Sequence, residues 1–424
     1  MTQALFDFIK SSPSAYHAVD SVKRTLVENG FTELYESEAW DLAPGGKYFV
    51  IRNGTSLIAF VNVADAIGYT ICASHSDSPS FRVKPNAESV GAYVSVPVER
   101  YGGGIHYTWL DRPLSIAGRV VVRCESGLSS KLVDLDCDAL TIPSLAIHMN
   151  RGVNDGYKFN PAKDMIPLLS TSHGAGKLLP RIAELAEVDA DSIVSHDLFL
   201  YARDEGRTVG IDGEFILCPR LDDLACVYAT MRGFLDAAPS KSLPVLAVFD
   251  NEETGSETKQ GAKSTLLPYV LTRISGTEAE NYKRLGSSFI VSADNAHAKH
   301  PNHPELSDPV NAPVMGGGVA VKYNAAQRYA TDSFSDAIFR EICARNGVKL
   351  QSYTNRADMP GGSTLGSLVD TIVSVPTVDI GIPQLAMHSA VETAAASDVE
   401  SLYLAARAVY STSISVMKGD VCLK

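Results

Sequence analysis

Acidic side chains and histidines that could bind a metal follow several short apolar runs of the sequence. In one run, VLAVFDNEETGS at residues 245–256, Glu252 and Glu253 come shortly after the apolar residues 246–249. This profile is typical of a buried parallel strand whose carboxyl end carries polar groups, at the edge where open α/β sheets bind ligands. One such carboxylate can hold a cation while its neighbour moves protons, although an acidic loop or a helix N-terminus would give the same pattern.

Other runs end in the same way, and their imidazoles and carboxylates form one candidate set. His75 and Asp77 follow residues 69–73, Asp222 opens a predicted helix, Asp294 and His297 follow residues 289–292, and His388 follows residues 379–382. Imidazole and carboxylate without thiolate are the ligands of zinc, manganese or cobalt hydrolases rather than of structural zinc. Two metals that share one carboxylate would use about five or six such ligands. A single histidine is more simply explained as a core or surface residue, but repeated placement at strand ends favours a metal site.

The elements that must position these groups alternate between strands and helices in the second half of the chain. Predicted strands cover residues 246–249, 289–292, 318–321, 350–353, 371–375 and 377–380, and predicted helices cover residues 264–274, 333–346 and 399–417. This alternation predicts an α/β fold in which helices sandwich a mostly parallel sheet. Nearer the N-terminus, Asn53-Gly54 between two β-rich runs predicts a tight hairpin.

The chain is long enough for two domains, and its pattern changes near residues 84 and 212. With 424 residues it exceeds the size at which a single core stops growing. Residues 85–211 contain strand-like runs, the flexible turn Gly102-Gly103-Gly104 and few helical periods. We therefore expect residues 85–211 to form an inserted, mostly β domain within a discontinuous catalytic domain of residues 1–84 and 212–424.

Charge and cysteine usage argue against several classes of protein. The net charge of −12 and the lack of a basic run argue against nucleic acid as a partner. The N-terminal residues contain neither a signal-peptide pattern nor an apolar span of about 18 residues, so we expect no membrane association and a cytoplasmic location. The seven cysteines are scattered without a C-x-x-C pair, which predicts reduced core thiols.

A series of strings, in order along nearly the whole chain, resembles the aspartyl aminopeptidase family of dinuclear zinc peptidases. They are ASHSDSPSFRVKP at residues 73–85, SLAIHMNR at 144–151, RLDDL at 220–224, DNEETGS at 250–256, SADNAHAKHPNH at 292–303, VKYNAAQRYATD at 321–332, PGGSTLG at 360–366 and AMHSAVE at 386–392. Each string alone is weak, but the ordered set is specific. One departure is Asp223, where an amide-bearing residue is more often expected.

The resemblance implies a site with two Zn²⁺ ions per subunit, for which Mn²⁺ or Co²⁺ could substitute. In this arrangement Asp222 bridges both ions, His75 and Asp294 complete one site, and Glu253 and His388 complete the other. Glu252 is then the general base. Asp77 would orient His75, unless it only caps the turn before Ser78.

The resemblance also implies the substrate, which is a peptide with N-terminal Asp or Glu. The residues expected to contact it are His148, His297, Lys322 and Tyr329. Lys322 would pair with the acidic side chain, since an unpaired buried carboxylate is costly; a solvated surface lysine is the alternative. His148 lies in the inserted domain and would enter a neighbour's active site, with a core strand histidine as the alternative. The family implies a homo-oligomer joined through that domain, such as a dodecamer built from dimers.

Two other interpretations stay open at this point. A two-metal site does not by itself determine which amide bond is hydrolysed. An N-acyl amino acid deacylase or a broad-specificity aminopeptidase would use the same ligands. A noncatalytic scaffold on a peptidase fold is the alternative outside enzymes. The complete ligand set together with Glu252 argues against such a scaffold.

Overall fold

A nine-stranded sheet is the largest element in the computed structural model of the chain, which describes residues 1–417 and 419–424. In order across the sheet, its strands are Thr32–Leu34, Lys47–Arg52, Ser56–Val61, Ser242–Phe249, Gly68–His75, Phe289–Ala293, Thr377–Gly381, Val319–Tyr323 and Leu350–Thr354. Five of the eight neighbouring pairs are parallel, so the expected mostly parallel sheet is confirmed.

Helices cover both faces of this sheet. The α-helices of the described residues are Thr2–Lys10, Ala15–Glu28, Pro161–Asp164, Leu178–Leu185, Leu221–Leu235, Leu266–Ser275, Glu278–Leu285, Ser333–Arg345, Leu365–Val373 and Ala396–Tyr410. Successive strand residues point to opposite faces, so Leu246 and Val248 enter one hydrophobic core while Val245 and Ala247 enter the other. The two cores hold the central strands in place, and the carboxyl ends of those strands therefore meet at one fixed edge.

The predicted hairpin is confirmed at Asn53 and Gly54. Both residues have positive φ, 58° and 76°, which suits the tight turn between the antiparallel strands Lys47–Arg52 and Ser56–Val61. This turn fixes the register of the two strands at one side of the sheet.

Much of the chain between residues 80 and 202 forms β structure outside the large sheet. One sheet contains Gly127–Asp134, Leu114–Cys124, Ile193–Ala202, Ser80–Val83 and Val98–Tyr101, and another contains Leu168–Thr171, Tyr93–Ser95 and Ser89–Val90. These strands surround a third core that includes Trp109 and Leu198. The helices Pro161–Asp164 and Leu178–Leu185 belong to the same stretch. The division at residues 85 and 211 stays a prediction.

A smaller sheet lies outside the large one, and a short hairpin follows the last helix. The small sheet contains Arg207–Val209, Phe215–Cys218, Glu392–Ala395, Pro383–Leu385 and Ala296–His297. The hairpin pairs Ile414–Met417 with Asp420–Leu423. No helix among the described residues has both the length and the apolar character needed to cross a membrane.

Three expectations from the sequence are wrong in detail. Residues 371–375 are not a strand; the helix Leu365–Val373 covers most of them and buries Val369 and Val373, because a short apolar run suits either element. The final helix ends at Tyr410 rather than at residue 417, and the strand Ile414–Met417 follows. All seven cysteines are free thiols as predicted, but Cys124 and Cys137 are exposed rather than in a core.

Candidate metal centre

Asp222 lies between two imidazoles and presents a different carboxylate oxygen to each. Its Oδ1 is 3.4 Å from His75 Nε2, and its Oδ2 is 3.5 Å from His388 Nε2. The side chain is buried, and the peptide bond that joins it to Asp223 is cis. Asp222 and Asp223 depart from helical dihedral angles, so the regular part of the helix Leu221–Leu235 begins after them. Two aspartates at this helix start can therefore point into one site.

One side of Asp222 faces a group of buried ligands. Potential ligand atoms of His75, Asp222, Asp223 and Asp294 lie within 4.8 Å of one another. His75 ends the strand Gly68–His75, and its Nε2 is 3.9 Å from both Asp223 Oδ2 and Asp294 Oδ1. Asp294 directly follows the neighbouring strand Phe289–Ala293. The edge of the large sheet thus supplies most of this group.

The other side of Asp222 faces a second group, formed with Glu253 and His388. The ligand atoms of these three residues also lie within 4.8 Å of one another, and His388 Nε2 is 3.4 Å from Glu253 Oε1. Glu252 and Glu253 lie in a short 3-10 turn after the strand Ser242–Phe249. Glu252 and Glu253 also form a third such group with His75. The structure therefore brings together all five predicted metal ligands and the predicted general base.

The donor atoms of these groups fit metal cations. Asp222 Oδ1, Asp223 Oδ1 and Glu253 Oε1 are buried without a hydrogen-bond partner in the described residues. A buried carboxylate oxygen without a partner is costly unless a cation or a donor satisfies it. Imidazole nitrogens and carboxylate oxygens, with no cysteine among them, match a catalytic zinc site.

The pKa values of the side chains in this cluster are shifted by burial and by neighbouring charges. Burial raises the pKa of Glu252 to about 8, and the carboxylates of Asp294 and Asp222 add to this rise. Burial alone would lower the pKa of His388, but its hydrogen bond with Asp222 raises the value to about 10. Burial would raise the pKa of Asp222, yet the nearby imidazoles of His388 and His75 hold it below its usual range. These shifts reflect carboxylates and imidazoles that face one another away from water.

Asp77 connects His75 with the two glutamates. Its main-chain carbonyl oxygen lies 3.1 Å from His75 Nδ1, and its Oδ1 lies 3.3 Å from the same nitrogen. Its carboxylate also accepts the main-chain N–H groups of Glu252 at 3.1 Å and Glu253 at 3.2 Å. A carbonyl acceptor at Nδ1 places the proton there and leaves Nε2 free for the cluster. Asp77 is therefore more than the cap of a turn.

Sequence comparison decides the family of this chain. The model of the Aminopeptidase I zinc metalloprotease (M18) family matches residues 8–410. The chain belongs to the M18 family. It is a metal-dependent aminopeptidase, and zinc is the metal of the family.

Individual M18 proteins are similar over nearly the whole length. A probable M18 family aminopeptidase 2 of Clostridium acetobutylicum is 46% identical over 400 residues, which cover 91% of this chain and 92% of the relative. The aspartyl aminopeptidase of Dictyostelium discoideum is 36% identical over 447 residues, with 92% of each chain covered. The mApe1 dodecamer of S. cerevisiae superimposes with a TM-score of 0.83 at 30% identity, covering 96% of this chain and 97% of that one.

The structure places Lys322 of this M18 chain beneath the metal centre rather than at its surface. Lys322 is fully buried, and its Nζ donates to the main-chain carbonyls of Asp294 at 2.7 Å and Asn295 at 3.2 Å. The ring of Tyr329 lies 5.3 Å from the same ammonium group. Lys322 is thus not the solvated surface lysine that the sequence left open. Contact with a substrate carboxylate stays a prediction.

The two predicted substrate histidines lie in different places. His297 is exposed at the edge of the small sheet, with its ring 6.2 Å from that of Tyr353. His148 is exposed on the turn of residues 147–149, and its side chain makes no hydrogen bond or ion pair within the described chain. His148 is not among the side chains that meet around Asp222, and it is not a core strand histidine.

The sequence pattern gave Glu392 no role, although this residue holds the main chain at both Asp222 and His388. This fully buried carboxylate accepts the main-chain N–H of Asp222 at 2.9 Å and that of His388 at 2.7 Å. Burial raises its pKa to about 8. The only signal was its position at the end of the AMHSAVE string, four residues after His388.

Proposed function

We propose that this M18 chain removes N-terminal Asp or Glu from peptides with a two-metal centre. The observation that carries the two-metal part is the placement of Asp222, whose two oxygens face His75 and His388 separately. A carboxylate with one oxygen directed to each of two ligand groups is suited to bridge two cations. The similarity to the Dictyostelium aspartyl aminopeptidase supports the acidic substrate.

Each ion would have its own ligands apart from the shared aspartate. His75, Asp222 and Asp294 would hold one zinc, and Asp222, Glu253 and His388 would hold the other. Bound zinc supplies Lewis-acid chemistry, since it polarises a carbonyl oxygen and makes a water molecule more acidic. The departure at Asp223 adds a fourth buried side chain to the first group.

Glu252 would move the proton in the reaction. Asp77 accepts a hydrogen bond from the main-chain N–H of Glu252. The Glu252 carboxylate lies near His75 and Glu253 but is not a proposed ligand of either zinc ion. A carboxylate with a pKa raised toward neutrality can take a proton from water and pass it to the leaving amine. His75 keeps its Nε2 toward the cluster because its Nδ1 faces Asp77.

Specificity would come from the residues around Lys322. Its ammonium donates to the carbonyls of Asp294 and Asn295 and lies 3.7 Å from Asp294 Oδ2, and its positive charge would also attract a substrate carboxylate. His297 and Tyr329 would line the same pocket. A buried cation favours an acidic side chain over a neutral one, because opposite charges attract more strongly away from water.

The inserted residues 85–211 would make subunit contacts and deliver His148 to a neighbouring active site. Near His148, the side chains of Leu145, Ile147 and Met149 are exposed by 55%, 50% and 76%. Apolar side chains clustered on one exposed turn are typical of a protein interface. An assembly like the S. cerevisiae mApe1 dodecamer would cover them.

Hydrolysis of a small substrate panel tests this function. Purified protein is assayed with Asp-, Glu-, Leu- and Lys-headed chromogenic substrates before chelation, after chelation, and after zinc or manganese is added back. We expect release of Asp and Glu alone, lost with the chelator and restored by metal. Equal release of all four residues would contradict the acidic specificity, and no metal-dependent release would contradict the aminopeptidase reaction.

A further inference from the structure

Residues 101–105 begin at the last residue of the strand Val98–Tyr101 in the inserted sheet. They contact side chains of the proposed metal centre that come from distant parts of the chain. We propose that this segment is a positioning element that fixes the orientation of Asp77, Glu253 and His388. The inference rests on the two-metal centre proposed above. It is independent of which residue the enzyme removes.

Tyr101 holds the acidic side of the centre through its hydroxyl group. The hydroxyl donates to Asp77 Oδ2 at 2.7 Å and accepts a hydrogen bond from Asn251 Nδ2 at 2.8 Å. Asp77 in turn accepts the main-chain N–H groups of Glu252 and Glu253. A hydrogen bond to a carboxylate is stronger than one between neutral groups. Tyr101 therefore stabilises the one orientation of Asp77 that serves both glutamates.

Gly102 leaves room for Glu253. A Cβ atom at Gly102 would lie 3.1 Å from Glu253 Cβ and 3.2 Å from Glu253 Oε2. Gly102 also has a φ of +73°, which a residue with a side chain adopts only with strain. The absence of a side chain at this position lets the segment lie directly against a proposed metal ligand.

Gly103 and Ile105 hold His388. The carbonyl oxygen of Gly103 lies 3.2 Å from His388 Nδ1, so that nitrogen is the donor and Nε2 stays directed at Asp222 and Glu253. The main-chain N–H of Ile105 donates to the His388 carbonyl at 2.9 Å. Both the ring and the backbone of His388 are thereby fixed from the inserted part of the chain. Outer partners of this kind set the tautomer and the direction of a ligating histidine.

These contacts predict an effect on metal binding that ordinary packing would not produce. The Tyr101 ring packs edge-on against Phe199, with ring centroids 5.4 Å apart, so Tyr101→Phe removes the hydroxyl and keeps the ring. Tyr201→Phe is the matched control, since the Tyr201 hydroxyl also donates to a carboxylate, Asp134 Oδ1, at 2.7 Å. Asp134 is not part of the metal-binding groups. The two variants lose the same kind of bond in the same part of the chain.

The measurement is the zinc dissociation constant of the full-length proteins, obtained by competition with a chromophoric chelator. Thermal unfolding is followed in parallel. We expect Tyr101→Phe to weaken at least one zinc site by about tenfold or more, the usual effect of losing such an outer partner. We expect Tyr201→Phe to bind zinc as the wild type does. Equal zinc affinity in both variants would overturn the inference.

A pair of glycine substitutions tests the positioning role if Tyr101→Phe does not fold. Gly102→Ala brings a methyl group against Glu253, whereas Gly45→Ala, at a φ of +76°, meets no atom within 4 Å. Both variants carry the same backbone strain, so a lower zinc affinity in Gly102→Ala alone supports the inference. Unchanged affinity in Gly102→Ala contradicts it. A wild-type protein that binds no zinc would instead overturn the proposed two-metal centre, and the positioning role with it.

Discussion

The carboxylate of Asp77 accepts the main-chain N–H of Glu252 at 3.1 Å, which ties the proposed general base to the residue that orients His75. The two residues come from different strand ends, those of Gly68–His75 and Ser242–Phe249. These strands are parallel neighbours, and Phe249 pairs with His75 at their ends. The sheet register therefore places the proposed general base beside the proposed metal ligands.

The first prediction concerns the general base. Glu252→Gln keeps the shape of the side chain but cannot accept a proton from water, so we expect kcat to fall by about 100-fold or more. Zinc content should stay at the wild-type level, because Glu252 is not among the proposed ligands. Glu257→Gln is the control, since Glu257 is exposed and pairs with Lys263. A Glu252→Gln enzyme with wild-type kcat would exclude the proposed role.

The second prediction concerns substrate selection by Lys322. Lys322→Met should lower kcat/KM for all substrates, since the lysine also supports the carbonyls of Asp294 and Asn295. The loss should be about tenfold greater for Glu-headed than for Leu-headed substrates, because only the former loses a bond to a charged group. The exposed Lys299→Met variant should keep the wild-type ratio. An unchanged ratio in Lys322→Met would place acid recognition elsewhere.

The third prediction concerns the subunit that supplies His148. A His148→Ala variant and a Glu252→Gln variant should each be nearly inactive. If His148 acts in a neighbouring subunit, mixed oligomers of the two will contain some sites with both wild-type residues and will regain activity. Separately purified proteins, mixed without subunit exchange, are the control. Mixed oligomers that stay inactive would show that His148 does not act across the interface.

The fourth prediction concerns acid stability away from the metal centre. Burial alone would raise the pKa of Asp197, but hydrogen bonds from Arg119 and Tyr16 hold it below its ordinary value of 3.8. A carboxylate with a lowered folded-state pKa stabilises the fold above its unfolded pKa, and this stabilisation is lost as the pH falls through the folded-state value.

Asp197→Asn removes that contribution. Between about pH 5 and about pH 2, its free energy of unfolding in urea should fall less steeply than that of the wild type. Asp41→Asn, at an exposed position, should follow the wild type. Identical pH dependence in Asp197→Asn and wild type would mean that this ion pair does not govern acid stability.

Two of the proposed metal ligands could be placed from the sequence because they lie directly at strand ends. His75 and Asp294 stand at the ends of neighbouring parallel strands, so a short apolar run followed by a ligand was a sufficient signal. The mostly parallel sheet followed from the same runs. The helix Leu365–Val373 was misread because its apolar residues are too few to separate the two periodicities.

The residues that orient the proposed metal ligands could not be predicted from such local patterns. Gly103 contacts His388 across 285 positions of the chain, and Tyr101 contacts Asn251 across 150. Their partners depend on how the inserted sheet packs against the large one, which no local pattern encodes. Gly102-Gly103-Gly104 was interpreted as a flexible turn, yet the close approach to Glu253 is what requires Gly102.

Zinc stoichiometry in Asp222→Asn is the most direct test of the two-metal account. Metal is titrated into chelator-treated protein, and bound zinc per subunit is measured for the wild type, Asp222→Asn and Asp236→Asn, an exposed control at the end of the same helix. Because one aspartate faces both ligand groups, we expect two tight sites in the wild type and the control, and the loss of both in Asp222→Asn. One tight site in the wild type, or two in Asp222→Asn, would contradict the account.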